Sequence, residues 1–329
     1  MKNILVIQTA FIGDVILATA LLEKLHQKFP ESNLFLVVRK GNETLFHNHP
    51  FIKETWVWDK QKGKYRSFIS LLKKIRAVQF DLVVNAHRYA SSGILTALSK
   101  AKIKTGFINN PFSFLFDLKK EHQIGNGIHE VSRNHSLISA ITDEVPAKPR
   151  LYPSNNDYEF ISPLQQDMPY YCIAPASVWF TKQWPEQRWI ELCNSLASFR
   201  VYILGAKGDA ALCERILSNS DSSNVISLAG KLTLLQSAAV MENARMNFVN
   251  DSGPLHLASA MNAPVTAIFC STVKDFGFYP LSEISCVAEI SEKLPCRPCG
   301  LHGYKKCPEG HFKCGYDISA EQVLSCSVS

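Results

Sequence analysis

The sequence predicts an α/β protein of two domains, each built around a parallel β-sheet covered by helices. At 329 residues the chain exceeds the size at which one hydrophobic core keeps growing. Apolar strand-like runs alternate with amphipathic stretches in both halves, and the alternation breaks down between about residues 109 and 167. We therefore predict a first domain over residues 1–155 and a second over residues 165–329.

The first domain opens with a strand, helix, strand unit, in which residues 4–7 and 34–38 form the strands and residues 15–28 the helix. Two further strands, at residues 55–58 and 82–84, are each followed by a helical pattern. Runs of Val, Ile and Leu without polar alternation are typical of strands buried on both faces. These runs indicate a parallel sheet with helices on both sides.

The later part of the interrupted segment contains four prolines and little strand signal, so it is the best candidate for a linker. Beyond it the alternation resumes with five strand runs, at residues 170–174, 201–205, 225–226, 247–249 and 265–269. Helical patterns separate them, at residues 186–197, 210–217, 232–242 and 255–261. A second parallel α/β domain follows, and ligands of such sheets bind at the carboxyl ends of the strands.

Charge is distributed unevenly along the chain. The formal net charge is +6, but residues 1–150 carry 22 Lys and Arg against 12 Asp and Glu, whereas residues 151–329 carry 13 against 17. A basic first half favours an anionic partner. Phosphorylated sugar, anionic lipid and nucleic acid all suit that charge, and plain solubility charge is the alternative.

The amino terminus imitates a secretory signal, with Lys2 before an apolar stretch over residues 4–17. Gly13 and Asp14 interrupt that stretch, and a carboxylate there opposes membrane insertion. No other window approaches the roughly 20 apolar residues that a membrane span needs. We therefore expect the protein to remain in the cytoplasm.

The sharpest motif lies in the second domain, between the strand that ends at Val249 and the next helix. Ser252 and Gly253 stand at the start of that helix, where unpaired N–H groups and the helix dipole favour a phosphate. An ordinary helix cap is the alternative. Lys182, in the loop after the first strand of this domain, is expected to be a mobile cation at the same edge of the sheet.

Asp14 follows Gly13 in the turn between the first strand and the first helix. Parallel α/β proteins carry functional loops at this position, although an Asp there can also simply cap the helix. No Gly-x-Gly-x-x-Gly sequence occurs, which disfavours a dinucleotide enzyme. No Asp-x-Asp pair occurs either, so we expect catalysis without a divalent cation.

Three segments, in the same order and at similar spacing, resemble the heptosyltransferases of bacterial lipopolysaccharide synthesis: Lys2-Asn3-Ile4-Leu5-Val6-Ile7 with Ile12-Gly13-Asp14-Val15, Lys182-Gln183-Trp184-Pro185, and Asn250-Asp251-Ser252-Gly253-Pro254-Leu255-His256-Leu257-Ala258. The resemblance covers nearly the whole chain. It implies a GT-B fold, in which two Rossmann-like lobes face a central cleft. It also implies inverting transfer of a sugar, from ADP-heptose or a related nucleotide-diphosphate sugar, to an anionic glycolipid acceptor.

The same resemblance assigns roles to individual residues. It implies that Asp14 is the base that activates the acceptor, while the donor diphosphate is held by Lys182, Asp251, Ser252, Gly253 and His256. Neither a catalytic cofactor nor a nucleic acid partner is expected. Two alternatives remain open: a sugar-nucleotide epimerase or hydrolase of the same fold, and a non-enzymatic α/β module that binds anions.

An aromatic and basic stretch in the first domain is a candidate contact with the glycolipid or the inner membrane. It comprises Phe107, Phe112, Phe114 and Phe116, followed by Lys119, Lys120 and His122. Packing of these rings in the core is the competing interpretation.

The ten cysteines fall into two groups. Five lie in or beside apolar segments and are expected to be inert: Cys172, Cys193, Cys213, Cys270 and Cys286. A cluster near the carboxyl end has the count for a structural zinc site, with His302 and His311 as alternative ligands and Cys326 trailing: Cys296, Cys299, Cys307 and Cys314. Reduced thiols or a disulfide are the alternatives to metal.

Overall fold

The computed structural model describes residues 1–61, 63–165 and 168–326. The chain divides into two compact units, Met1–Tyr152 and Pro153–Ser329. The predicted domains leave residues 156–164 between them, and these residues belong to a helix, Asn155–Ile161, and a short 3₁₀ helix, Ser162–Leu164, of the second unit. Tyr158 in that helix donates a hydrogen bond of 2.8 Å to Glu242. Residues 166–167 and 327–329 of the predicted second domain lie outside the described residues.

The first unit contains a parallel sheet in the order β3-β2-β1-β4-β5-β6. Its strands are β1 (Asn3–Ile7), β2 (Asn33–Arg39), β3 (Ile52–Trp58), β4 (Leu82–Asn85), β5 (Ile103–Phe107) and β6 (Leu118–Lys120). Its α-helices are α1 (Ile12–Leu17), α2 (Thr19–Lys28), α3 (Lys64–Ala77), α4 (Ala90–Ala97) and α5 (Glu130–Ser136). Short 3₁₀ helices occupy Glu43–Phe46 and Ser113–Leu115.

The second unit repeats this architecture, with a parallel sheet in the order β12-β11-β10-β7-β8-β9. Its strands are β7 (Tyr170–Ala174), β8 (Arg200–Ile203), β9 (Val225–Ser227), β10 (Met246–Asn250), β11 (Val265–Phe269) and β12 (Ser285–Glu289). Its α-helices are α6 (Asn155–Ile161), α7 (Glu186–Ser195), α8 (Ala210–Ser218), α9 (Leu234–Glu242), α10 (Gly253–Ala260), α11 (Lys313–Tyr316) and α12 (Ala320–Cys326). The 3₁₀ helices are Ser162–Leu164, Phe180–Lys182, Lys207–Asp209 and Lys274–Phe276.

The strand order creates one topological switch point in each sheet. In the first unit β1 lies between β2 and β4, and in the second unit β7 lies between β8 and β10. Connections leave in opposite directions from these central strands, which opens a crevice at their carboxyl ends where ligands bind. The loops after β1 and β4, and those after β7 and β10, are therefore the places where each unit can carry a site.

The predicted helix over residues 15–28 is wrong in one respect, because it is divided at Ala18 into α1 and α2. Thr19 Oγ1 donates a 2.7 Å hydrogen bond to the carbonyl of Ile16. Such side-chain bonds to the preceding turn compete with the helical ladder.

Four of the five cysteines predicted to be inert are buried free thiols: Cys172, Cys193, Cys213 and Cys270. The prediction is wrong for Cys286, which forms a disulfide with Cys326 and joins β12 to α12. Among the described residues, no helix is long and apolar enough to cross a membrane.

Candidate functional site

Asp14 is the third residue of α1, directly beyond the carboxyl end of the central strand β1. The N-cap residue is Phe11, whose side chain makes no capping bond. The Asp14 carboxyl group instead accepts hydrogen bonds from the backbone N–H groups of Phe11 and Asp14, so the interpretation of Asp14 as a helix cap remains open beside a catalytic role. Its carboxyl group is partly buried at the switch point of the first sheet.

The surroundings of Asp14 change its acidity. Burial raises the pKa of its carboxyl group to about 7, and the negative charge of Glu130 adds to the rise, while the positive charge of Arg88 opposes it. An ordinary Asp, with a pKa near 4, is a weak base. A carboxylate whose pKa lies close to physiological pH accepts a proton more effectively, so Asp14 is suited to general base chemistry.

Glu130 belongs to a buried charged cluster at the start of α5 that was not predicted from the sequence. Its carboxylate accepts hydrogen bonds from His122 Nε2 at 3.1 Å and from Arg133 Nε at 2.8 Å. His129 caps the same helix by accepting a bond from the Val131 N–H. The available signal was the pair Glu130 and Arg133, three residues apart at a helix start, where opposite charges lie on one face.

Basic side chains also lie near the carboxyl ends of the strands in the first sheet. Lys60 Nζ donates a 2.7 Å hydrogen bond to the carbonyl of Thr9, and burial, followed by the charges of Arg39 and Lys64, lowers the pKa of Lys60 to about 8. Burial, followed by the charges of Lys60 and Arg88, lowers the pKa of His87 to about 3. Like charges held this close favour an anionic ligand, because it would relieve their repulsion.

The predicted aromatic stretch divides between core and surface. Phe107 and Phe116 are buried, so core packing is the correct interpretation for these two rings. Phe114, by contrast, is 71% exposed in the loop between β5 and β6. His122 was predicted at the surface, but it is buried against Glu130.

In the second unit a buried amide joins the two loops at the switch point. Asn250, the last residue of β10, is fully buried. Its side chain accepts a 3.0 Å hydrogen bond from the Trp184 N–H and donates one of 2.8 Å to the Pro175 carbonyl. The loop after β7, which carries Lys182, is thereby tied to the loop after β10, which carries Asp251.

Lys182 and Asp251 form an ion pair at this place. Lys182 Nζ lies 2.6 Å from Asp251 Oδ2, and the side chains are 15% and 8% exposed. Thr272 Oγ1, in the loop after β11, donates a 2.7 Å hydrogen bond to the same carboxylate oxygen. The expectation of a mobile Lys182 is therefore wrong, since the ammonium group is held in one position.

The helix start after Asp251 is not capped by a side chain. Ser252 is the N-cap residue of α10, but its hydroxyl lies 3.4 Å from the carbonyls of Ala176 and Asn250 and makes no bond to the helix. Gly253 begins the helix and Pro254 follows it. His256 is buried in the first turn, with its ring 6.3 Å from that of Phe278. The helix dipole is thus directed at the edge that carries Lys182.

The clustered cysteines surround a cavity of about 160 Å³ in the second unit. Its walls include four free thiols, those of Cys296, Cys299, Cys307 and Cys314. Within the part of the chain that the structure describes, no three His, Cys, Asp or Glu side chains are grouped to hold a metal ion. The zinc site therefore stays a prediction, which metal analysis of the protein would test.

Comparison with known proteins identifies a family that this chain matches over most of its length. A family model described as glycosyltransferase family 9 (heptosyltransferase) matches residues 68–302. The chain is 25% identical to lipopolysaccharide heptosyltransferase 1 of Pseudomonas aeruginosa over 338 aligned positions, which cover 98% of this chain and 93% of the relative.

Two solved structures are similar over nearly the whole chain. One is the glycosyl transferase family 9 protein of Veillonella parvula, with a TM-score of 0.84, 22% identity and coverage of 99% of this chain and 96% of the other. The second is the ADP-heptose lipopolysaccharide heptosyltransferase II of Escherichia coli, with a TM-score of 0.79, 20% identity and coverage of 99% and 97%. These likenesses confirm the predicted GT-B fold class.

Proposed function

The chain belongs to glycosyltransferase family 9, and we propose that it transfers heptose from ADP-heptose to the inner core of a lipopolysaccharide, with inversion at the anomeric carbon. Membership makes the protein a glycosyltransferase, which sets aside the non-enzymatic alternative. The names of its relatives suggest both the sugar and the acceptor. The proposal locates the enzyme in the cytoplasm, in peripheral contact with the inner membrane.

The observation that carries the proposal is the arrangement of charge at the switch point of the second sheet. Lys182 is held at Asp251, and the uncapped start of α10 lies directly after Asp251. A departing nucleoside diphosphate develops negative charge, and oriented positive groups stabilise such a transition state. We assign Lys182, Asp251, Ser252, Gly253 and His256 to donor binding on this ground.

Asp14 supplies the base in this mechanism. Its carboxylate takes the proton of the acceptor hydroxyl while the oxygen attacks the anomeric carbon and the bond to the diphosphate breaks. The raised pKa of Asp14 matches this role. No step requires a metal ion, because Lys182 and the amino end of α10 supply the positive charge that the diphosphate needs.

We assign the anionic acceptor to the basic edge of the first unit. Arg39, Lys60, Lys64 and Arg88 concentrate positive charge there. Phe114 and Leu115, which are 71% and 46% exposed, extend this unit with an apolar loop close in sequence to Lys119 and Lys120. Exposed rings beside lysines suit the interface of an anionic bilayer.

A thermal-shift panel tests the donor assignment. ADP-heptose, GDP-mannose and UDP-glucose are added in turn, and binding raises the unfolding midpoint by mass action. We expect the largest shift for ADP-heptose and its loss in Lys182→Met, while Lys293→Met, at an exposed position of the same unit, keeps it. Equal shifts for all three donors, or none, would count against the assignment.

A further inference from the structure

The Cys-rich segment, residues 296–316, is bonded to the 3₁₀ helix that carries Lys182. Thr181, the residue before Lys182, donates its N–H to the Tyr304 carbonyl at 3.1 Å. In return the Tyr304 N–H donates to Thr181 Oγ1 at 2.8 Å. Two hydrogen bonds between residues 123 positions apart therefore join this segment to the neighbour of Lys182.

The Thr181 hydroxyl is held from a second direction as well. It is buried, and Ser271 Oγ donates to it at 3.0 Å. Ser271 directly precedes Thr272, which donates to Asp251. The short stretch after β11 therefore supports both members of the Lys182–Asp251 pair. Thr272 donates to the Asp251 carboxylate, and Ser271 donates to Thr181, the neighbour of Lys182.

Gly303 lies close to Thr181 and Lys182, where there is no room for a side chain. Its φ is +80°, and a Cβ atom added there would lie 2.9 Å from Thr181 Oγ1, 3.0 Å from Lys182 Cγ and 3.4 Å from Ser271 Oγ. Since Thr181 Oγ1 is already hydrogen-bonded, it cannot move aside freely. A side chain at residue 303 would therefore push against Lys182 and its support together.

Other contacts keep the Cys-rich segment in place. The Cys299 N–H donates to the Ser271 carbonyl at 2.9 Å, and Arg297 donates to the carbonyls of Phe269 and Thr272 at 3.1 and 2.6 Å. The rings of Phe312 and Phe180 pack with centroids 5.1 Å apart. The segment is thus attached both to the loop after β11 and to the 3₁₀ helix of Lys182.

We propose that Gly303 and Tyr304 are positioning residues, through which the Cys-rich segment holds Lys182 at Asp251 in the geometry that receives the donor diphosphate. This inference rests on the proposed function of Lys182. It gives the Cys-rich segment a role in donor affinity, although the segment supplies no group to the donor itself. The free-energy cost of ordering the Lys182 side chain is met when the protein folds, so it does not reduce the affinity for the donor.

A matched pair of glycine variants tests the inference. Gly303→Ala and Gly310→Ala both place a side chain at positive φ in the same segment, but a Cβ at Gly310 meets no atom within 4 Å. Calorimetric titration with ADP measures the effect. We expect Gly303→Ala to weaken ADP binding about tenfold, which corresponds to about 1.4 kcal/mol, and Gly310→Ala to weaken it by less than about twofold.

The Lys182→Met background separates this inference from the proposed function. If Gly303 acts through Lys182, Gly303→Ala should add less than about twofold to the loss caused by Lys182→Met alone. If the losses of ADP affinity caused by Gly303→Ala and Lys182→Met instead added in full in the double variant, the inference would be overturned. Unchanged ADP binding in Lys182→Met would overturn the donor assignment instead, whereas a loss in Lys182→Met without one in Gly303→Ala would overturn only the positioning role.

A second pair of variants tests the inference even if Gly303→Ala does not fold. Thr181→Val removes the hydroxyl that Tyr304 and Ser271 contact but keeps the side-chain shape, and Thr181→Ser keeps the hydroxyl. We expect Thr181→Val to weaken ADP binding about tenfold, with Thr181→Ser restoring most of the loss. Equal affinities for the two variants would overturn the inference.

Discussion

Lys182 Nζ and Asp251 Oδ2 lie 2.6 Å apart, although the residues are 69 positions apart in the chain. The pair is largely withdrawn from water, so each charge depends on the other for its solvation. An incoming diphosphate therefore meets an ammonium group that is already oriented. Such preorganisation avoids the cost of ordering a free lysine side chain when the donor binds.

Loss of the Thr272 hydroxyl should weaken this arrangement. Thr272→Val removes the 2.7 Å hydrogen bond to Asp251, and a bond to a charged group contributes about 1.5–3 kcal/mol. We expect a lower urea midpoint for unfolding of the second unit and weaker ADP binding. Thr272→Ser is the control, and a midpoint for Thr272→Val equal to that of Thr272→Ser would contradict the role of the hydroxyl.

The pH dependence of transfer should report Asp14. Because the base must be ionised, kcat/KM is expected to rise with pH through about 7 and then level off. Arg88 lowers the pKa of Asp14, so Arg88→Gln should move the rise to higher pH. Arg76→Gln, at an exposed position of α3, should leave the profile unchanged, and a profile that is flat from pH 5 to 9 would exclude Asp14 as the base.

Asp14 should also destabilise the folded protein at alkaline pH. Its pKa is about 7 in the folded state against the ordinary 3.8, so between these values the folded chain binds the additional proton. Stability from this group therefore falls as the pH rises from about 4 to 7. Asp14→Asn should raise the unfolding midpoint at pH 8 and by less at pH 5; an equal gain at both pH values would contradict the shifted pKa.

The Cys286–Cys326 disulfide should stabilise the second unit. It closes a loop of 40 residues, for which a crosslink contributes about 2–4 kcal/mol. Dithiothreitol should lower the urea midpoint of the parent protein and leave that of Cys326→Ser unchanged. Thiol titration of the unfolded, unreduced chain should count eight free cysteines, and a count of ten would show that the bond is absent.

Membrane contact is tested by exchanging one exposed ring. Phe114→Ser should reduce co-sedimentation with vesicles that contain phosphatidylglycerol several-fold, because the ring loses its place in the interface. Phe160→Ser, which changes a 56% exposed ring on α6 of the second unit, is the matched control. Equal binding by both variants would leave Phe114 without a role at the bilayer.

Much of the fold follows from local patterns. Uninterrupted Val, Ile and Leu runs predicted the strands that are buried on both faces. They failed for β5, whose sequence Ile103-Lys104-Thr105-Gly106-Phe107 contains a charge and a glycine. The reason lies in tertiary packing, because a Cβ atom at Gly106 would lie 2.5 Å from the Phe116 ring. Close packing therefore requires glycine at this position, although glycine has a low strand propensity.

Some features of the candidate site could likewise be predicted from the sequence, and others could not. Motifs at strand ends predicted where Asp14, Lys182 and Asp251 lie, because each loop follows its strand in the chain and parallel strands have their carboxyl ends on the same side of the sheet. The Lys182–Asp251 ion pair and the packing of Gly303 against Thr181 join residues distant in sequence. The Glu130 cluster joins residues close in sequence, but its burial depends on the packing around it. Burial of polar groups is set by such packing, and one sequence gives no local sign of it.

Transfer by Asp14→Asn is the most direct test of Asp14 as the catalytic base. Radiolabelled heptose incorporation into a lipopolysaccharide acceptor is measured beside calorimetric ADP binding. We expect incorporation to fall about a thousandfold, the scale of general base catalysis, while the ADP dissociation constant stays within about twofold. Incorporation at the parent rate, with the variant folded and ADP bound, would contradict it.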